Sequence, residues 1–394
     1  MGKTVLVLGI GWEQEPMIKK IHDLGWKVIG IHYNSSFNPI IPYDNVFQCD
    51  LWDINKVLKI CDSIKFDAVI SDQDDYGHFL QAFIAEKFNL PGPTINQAQL
   101  SLNKYLQREE CNKNGIKTPE YKLVSSPQEG EEFAKENGFP IILKPVDNRG
   151  SIGVVKVNTK KELFSAFEIA CINSHSHLVI AERFIKGFEV TVDGFCFPKP
   201  KSLAVAEKGK LDDERQVSVD IKYPAELDSD LYQKIMQNNE DVAEALGYNF
   251  GMLHGEYIIT SENEIYLVEL ANRGGGCYTS SIVVPNVSGV PILDYYIDLC
   301  LGIEDEFLIK NVEKNETVLK FFNFQNGLIK NIIGINFLKQ NSNVLNHHFY
   351  IKEGEKIENM TNDADRHGFV IVTSDKKVRD KTNRIIERIK IDYN

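Results

Sequence analysis

Apolar runs of strand length alternate with stretches of helical period through the first hundred residues. Thr4–Leu8 (TVLVL) reads as a buried strand, residues 15–24 as a helix ended by Gly25, and Lys27–His32 as a second strand. A helix over residues 55–63, a strand over 67–71 and a helix over 77–88 follow. Strands alternating with helices predict a parallel sheet with right-handed crossovers, a Rossmann-like domain over residues 1–98. Near residue 100 the pattern changes. Residues 103–114 form a polar helix whose exit is marked by Gly115 and Pro119. An α+β stretch comes next: helix 127–137, strand 140–146, turn 148–151, strand 153–158, helix 160–172 and strand 177–182. Residues 188–211 alternate as strands, 212–220 form a charged loop, and 230–246 a long helix. Strands at 252–260 and 264–270, a glycine run at 274–276 and an apolar helix at 293–301 lead to a last stretch, 311–394. That stretch reads as strands with a closing helix at 380–390. The fold class is therefore α/β followed by α+β, in units spanning 1–98, 99–185, 186–310 and 311–394.

Composition narrows the function classes. With 43% hydrophobic and 25% charged residues the chain is that of a globular protein. Its 44 basic and 56 acidic residues give a net charge of −12, which argues against a nucleic-acid partner needing a basic footprint. Seven scattered cysteines without a CxxC pair support neither a disulfide framework nor a zinc site. No run approaches the roughly 18 apolar residues of a membrane span, and the N-terminus is unlike a signal peptide. A cytoplasmic protein with small-molecule partners and no membrane partner is expected, with a homodimer as its assembly. The Gly9-Ile10-Gly11 turn invites a dinucleotide-binding reading, but Gln14 stands where the third glycine belongs and no acid closes the second strand. A tight strand-to-helix turn is preferred.

Three features carry candidate chemistry. In the first, Lys144 ends a strand and precedes Asn148-Arg149-Gly150-Ser151-Ile152-Gly153. A strand-end lysine can reach phosphate oxygens as a point charge, while a glycine-bearing turn closes backbone N–H groups over them. Taken alone, it could equally be a solvated lysine beside a hairpin turn. The second is Glu182-Arg183-Phe184-Ile185-Lys186-Gly187-Phe188-Glu189, a hinge whose backbone can read an adenine edge and whose following carboxylate can accept from ribose hydroxyls. A strand-turn-strand with surface acids is the plainer account of it. The third is His254-Gly255-Glu256 followed by Glu269-Leu270-Ala271-Asn272-Arg273-Gly274-Gly275-Gly276. A two-residue loop at Glu262-Asn263 would pair Ser261 with Glu264 and set Glu256 opposite Glu269. Two facing carboxylates repel unless a cation lies between them, and oxygen ligands on adjacent strands suit Mg²⁺. Arg273, just past the strand, could hold a phosphoryl group or an oxyanion. Out of register, both acids would simply be solvated.

The order of these motifs resembles the ATP-grasp superfamily over nearly the whole chain. That resemblance implies a Rossmann-like leading domain followed by two α+β subdomains clasping ATP. It also implies roles. Lys104, Lys144 and the Ser151–Gly153 turn would meet ATP; Glu182 and the backbone of Arg183, Phe184 and Ile185 would hold adenine, and Glu189 the ribose. Glu256 and Glu269 would bind Mg²⁺ (or Mn²⁺), while Arg273 would face the transferred phosphate and the acyl group. Ala271 fills the slot two places after the acid, so Asn272, a third metal candidate, is shifted by one, and adjacent strand residues point to opposite faces.

Within the superfamily, residues 274–279 and the helix beyond look like those of L-amino-acid ligases. The chemistry implied is ATP-dependent acyl-phosphate formation from a carboxylate, then amide formation with an amine. Lys208 with the charged segment 210–215, His254 and Gly274, Gly275 and Gly276 are the substrate-side candidates, the glycines because missing Cβ atoms let an extended substrate lie close. A small buried thiol is expected at Cys277 rather than a nucleophile. Two rivals remain: an ATP- and bicarbonate-dependent carboxylase, and a non-catalytic nucleotide-binding module.

Overall fold

The computed structural model describes residues 2–33, 41–211, 217–303 and 315–394. Strand β1 (Thr4–Leu8) leads into helix α1 (Glu15–Asp23), β2 (Lys27–His32), β3 (Asn45–Gln48), α2 (Ile54–Ser63), β4 (Ala68–Ile70) and α3 (Asp75–Phe88). The strands form a parallel sheet in the order β3-β2-β1-β4. Every residue from Val5 to Leu8 is buried because both sheet faces are covered. Val5 and Val7 pack with α1, while Leu6 and Leu8 pack with α2 and α3. That two-sided burial is why β1 reads as a continuous apolar run rather than an alternating one. Asp74 caps α3 by accepting from the Gly77 N–H at 2.6 Å.

Two helices follow, α4 (Ile95–Leu102) and α5 (Lys104–Lys113). The sequence reading missed α4, although Thr94 and Gln97 form a reciprocal capping box. A second, antiparallel sheet in the order β5-β8-β6-β7 comprises β5 (Tyr121–Val124), β6 (Ile141–Pro145), β7 (Val155–Val157) and β8 (Val179–Arg183). Helices α6 (Pro127–Asn137) and α7 (Leu163–Ile172) cover one face of it. Helices α4 and α5 do not share that core. Leu100 and Cys111 join the cluster of the next domain, and Gln107 donates to the Leu270 carbonyl at 2.9 Å. The expected boundary at residue 99 therefore cuts through a helix that belongs, by packing, to the large sheet.

That sheet is antiparallel and eight-stranded, in the order β13-β12-β9-β10-β11-β14-β18-β16. Its strands are β9 (Phe188–Cys196), β10 (Pro200–Lys210), β11 (Ser218–Tyr223), β12 (Gly251–Ile259), β13 (Ile265–Ala271), β14 (Glu316–Phe321), β16 (Val344–Phe349) and β18 (Gly368–Ser374). Residues 218–220, expected in a loop, open β11 instead; residues 212–216 lie outside the described part. Helix α8 (Ser229–Ala245) covers one face. Helices α9 (Val284–Ser288) and α10 (Ile292–Cys300) follow the glycine run, and α10 docks on the parallel sheet. A small sheet of β15 (Gly327–Ile333), β17 (Lys356–Ile357) and β19 (Lys390–Tyr393), with α11 (Ile335–Gln340) and α12 (Val378–Ile386), completes the chain. Three strands beyond residue 315 thus extend the large sheet itself. No helix among the described residues is long and apolar enough to cross a membrane.

Candidate active site

Between the second sheet and the large one lies a cavity whose walls include Lys104, Lys144, Ser151, Glu182, Arg183, Phe184, Ile185, Glu189, Lys208, Glu256 and Glu269. Residues spread over more than 160 positions of sequence meet there. Lys144 is buried (4% exposed), with Nζ 2.8 Å from Glu182. The fully buried Arg108 on α5 donates its Nε–H to the other Glu182 oxygen at 2.9 Å and its Nη2–H to the Val268 carbonyl at 2.6 Å. Burial would raise the Glu182 pKa, yet the two cations hold it below the usual carboxylate range; burial also lowers that of Lys144. The plainer reading of Lys144, a solvated edge residue, is thereby excluded. Arg183 pairs through its side chain with Glu120, donates its backbone N–H to the Glu120 carbonyl at 2.9 Å, and lines the cavity. Glu189 sits 2.5 Å from Lys210 and 3.6 Å from Lys208.

The turn between β6 and β7 turns left-handed twice in succession, at Gly150 (φ +62°) and Ser151 (φ +57°), and both residues line the cavity. Gly153 has another task. A Cβ there would stand 2.7 Å from Asn173 Cβ and 2.8 Å from Pro145 Cγ, so it seats the base of the turn rather than approaching a phosphate.

On the hairpin β12–β13, Glu256 does face Glu269. The route to that register differs from the expected one. Thr260 donates to the Glu264 carbonyl, so the loop is Ser261-Glu262-Asn263, one residue longer. Tyr257 pairs with Leu267, and the register shifts between Glu256 and Tyr257, leaving Val268 as the extra residue of a bulge. The two offsets cancel. Because of the bulge, Leu267 and Leu270 share the core face, while Val268 and Glu269 both reach the cavity. Each acid has its own cation: Lys104 Nζ is 2.6 Å from Glu269, and Lys208 Nζ is 2.9 Å from Glu256. His254 lies between carboxylates, Nδ1 2.8 Å from Asp193 and Nε2 3.8 Å from Glu256. Burial disfavours its cation, but Asp193 and then Glu256 raise its pKa to about 9. Burial likewise opposes ionisation of Glu256, which Lys208 and His254 keep well below the ordinary range. Among the described residues no three His, Cys, Asp or Glu side chains cluster as a metal site. Two carboxylates suit an ion that takes its remaining oxygens from phosphate and water.

Asn272 does not join them. It is 1% exposed and donates both amide hydrogens inward, to the Phe250 and Met252 carbonyls, whereas Ala271 lines a cavity wall. Strand alternation explains the correction: the residue three places after Glu269 points to the opposite face.

Arg273 lines a second cavity with His254, Glu256, Glu269 and Gly276. Asp75, at the start of α3, holds it through Nε at 2.6 Å and Nη2 at 3.1 Å. Burial would raise the Asp75 pKa, but the guanidinium brings it to about 2. The glycine run is needed mainly for packing. A Cβ at Gly274 would stand 2.5 Å from Asp72 Oδ1, and one at Gly275 2.8 Å from His254 Nδ1. Only Gly276 borders this cavity, facing Glu13. Burial pushes the Cys277 thiol up to about 12, as suits a packed thiol; its Sγ lies 3.3 Å from the Tyr350 hydroxyl. Sequence reasoning missed Arg108, Asp75, Asp193 and Glu13. Each takes its meaning from a partner at least 61 positions away, and no local motif announces it.

Residues 137–281 match the ATP-grasp domain family. A D-alanine–D-alanine ligase of Aromatoleum aromaticum is 29% identical over 231 residues, 56% of this chain and 71% of that protein. Among solved structures, the L-amino acid ligase of Bacillus licheniformis superposes with a TM-score of 0.86 at 20% identity, over 100% of this chain and 99% of that one. The biotin carboxylase domain of Hydrogenobacter thermophilus 2-oxoglutarate carboxylase, solved with MgADP, ADP and bicarbonate, gives 0.78 at 16% identity, over 100% and 91%. The expected fold, Rossmann-like domain followed by two α+β subdomains, is the one observed; residues 137–281 match the ATP-grasp domain, and the chain is similar to ligases that carry it.

Proposed function

We propose that the chain joins a small carboxylate, such as an amino acid, to an amine at the cost of ATP, through an acyl phosphate. The observation that carries this reading is the facing pair Glu256 and Glu269, each matched to a lysine, where the Glu182 cavity meets the Arg273 cavity. A carboxylate oxygen attacks the γ-phosphorus, the bond to ADP breaks, and the amine nitrogen then attacks the acyl carbon as inorganic phosphate leaves with the electron pair. Starting from an ammonium, one of the two protons lost leaves on the phosphate and the other goes to solvent. Mg²⁺ held by Glu256 and Glu269 would neutralise charge on the triphosphate. Lys144 and Lys104 would hold phosphate oxygens, the strand end at Glu182–Ile185 the adenine, and Glu189 the ribose. Arg273, once released from Asp75, would hold the transferred phosphoryl group.

Hydroxylamine offers the direct test, since it captures acyl phosphates as hydroxamates. Hydroxamate and ADP should appear with Mg²⁺ and a suitable amino acid, and with neither bicarbonate nor a second enzyme. Bicarbonate-dependent ADP release without any amino-acid requirement would give the chain to the carboxylases instead, a reading that the likeness to the biotin carboxylase domain keeps in play.

A further inference from the structure

The Arg273 cavity has a volume of about 410 Å³ and walls of two kinds. Arg273, His254, Glu256, Glu269 and Lys208 line it with charge. Trp12, Ile221, Cys277, Leu319, Phe321 and Tyr350 also border it, and all six belong to one packed apolar cluster. Leu319 and Phe321 are buried, whereas Trp12, Cys277 and Tyr350 are only partly so. The Trp12 ring stacks on His348 at 4.3 Å between centroids and lies 5.6 Å from Tyr350, which fixes this wall in place.

The ions beside the apolar wall are answered within it. Arg366 lies 3.6 Å over the Phe321 ring, 2.7 Å from Asp363, and donates its Nε–H to the Ser218 carbonyl at 3.2 Å. Asp363 also accepts the Ser218 N–H at 3.2 Å, and its own N–H donates to the Gly150 carbonyl at 3.1 Å. A charged group entering here would lose hydration without gaining a free counter-ion, so the wall favours an apolar one. Most of it comes from beyond the matched domain. Leu319, Phe321, Tyr350, Asp363, Ala364 and Arg366 all follow residue 315, whereas the match ends at residue 281.

Resting on the ligase reading above, we infer that the chain beyond residue 315 builds the side-chain subsite for the carboxylate substrate, and that this substrate is an amino acid with a large apolar side chain. Its carboxylate lies toward Arg273 and the facing acids, and its side chain against Phe321, Tyr350 and Ala364.

Hydroxylamine in place of the amine confines the test to the acyl substrate. The probes are glycine, alanine, leucine, phenylalanine and tryptophan, with ATP and Mg²⁺. Glu13 and Arg273 meet the same backbone groups in every probe, and only the side chain varies. The kcat/KM for hydroxamate formation should rise about fourfold per buried methylene, placing leucine and phenylalanine roughly tenfold or more above alanine. Ala364→Leu fills the subsite and should lower the ratio of phenylalanine to alanine about tenfold. Tyr350→Ala opens it and should raise tryptophan relative to leucine; either variant decides if the other does not fold. A preference for glycine and alanine in the parent, or ratios unmoved in the folded variants, overturns the assignment. Calorimetric titration of the same amino acids, with Mg²⁺ and a non-hydrolysable ATP analogue, separates the two readings. If phenylalanine binds more tightly than alanine and Ala364→Leu removes the difference, while no hydroxamate forms, the subsite stands and the ligase reading falls. If hydroxamate forms without regard to the side chain, the ligase stands and the subsite falls.

Discussion

Glu182 is gripped from two sides, by Lys144 on its own sheet and by Arg108 from a helix that packs on the other. Removing one member of a buried ion pair leaves an uncompensated charge, at a cost of about 3–5 kcal/mol. Arg108→Met should approach that loss in urea unfolding, because it also abandons the Val268 carbonyl. Lys144→Met should cost less, since Arg108 still neutralises the acid, but it should weaken ATP binding at least as much. Unchanged nucleotide affinity in Lys144→Met would remove the lysine from the phosphate side. Glu269 behaves differently. Its charge is already matched by Lys104 in a partly exposed pair, so relief of repulsion from Glu256 is not available as a stability gain. Glu269→Gln should shift apo stability by less than about 1 kcal/mol while abolishing Mg²⁺-dependent turnover. A large loss of apo stability would make the acid structural.

The hairpin β12–β13 is the element on which the site depends, and it shows what a sequence can and cannot disclose. The strands, their order and the facing acids were all legible from alternation and turn residues. The three-residue loop and the Val268 bulge were not: the loop closes on a left-handed Asn263 (φ +60°), and the bulge is held by the Arg108 bond to the Val268 carbonyl while Leu267 and Leu270 stay in the core beside α8. The glycine run was legible as a special backbone, but not as a packing requirement, since its nearest neighbours, Asp72 just past β4 and His254 within β12, come from other strands. That difference has a measurable consequence. The His254 ring is fixed by Asp193, so it cannot yield to a methyl group placed at 2.8 Å. Gly275→Ala should therefore lower kcat more than tenfold, on the scale of a misplaced supporting group, with the KM for ATP little changed. A variant with intact kcat would show that His254 has room to move. Arg108, Asp75 and Asp193 were illegible for a simpler reason: a polar residue on a helix or strand looks solvated until its distant partner is known.

At the scale of the molecule, Asp75 and Arg273 tie the parallel sheet to the large antiparallel sheet, one turn of α3 away from His78. His78 is buried, with neither ring nitrogen bonded among the described residues, and burial lowers its pKa from 6.5 to about 4. The unfolded chain therefore takes up this proton first, and the stability present above about pH 6.5 is lost as the pH falls through about 4. Asp75 adds a second loss, from 3.8 down through about 2. Unfolding free energies measured from pH 7.5 to 4.5 should decline by on the order of 3 kcal/mol through His78, and His78→Leu should flatten that decline. An unchanged slope would mean the imidazole is protonated in the folded chain. The same large sheet carries β11 at its middle, bonded on one side to β10 and on the other to β14. On the ribosome, then, β11 and the strands bearing Glu256 and Glu269 are finished well before the neighbour of β11 at residues 316–321 exists. Until it emerges, β11 presents an open edge with Ile221 and Tyr223 uncovered, a template for pairing with another nascent copy. Slow translation or a pause before residue 316 should therefore favour aggregation over active enzyme, and a holding chaperone should be needed most at that moment of synthesis.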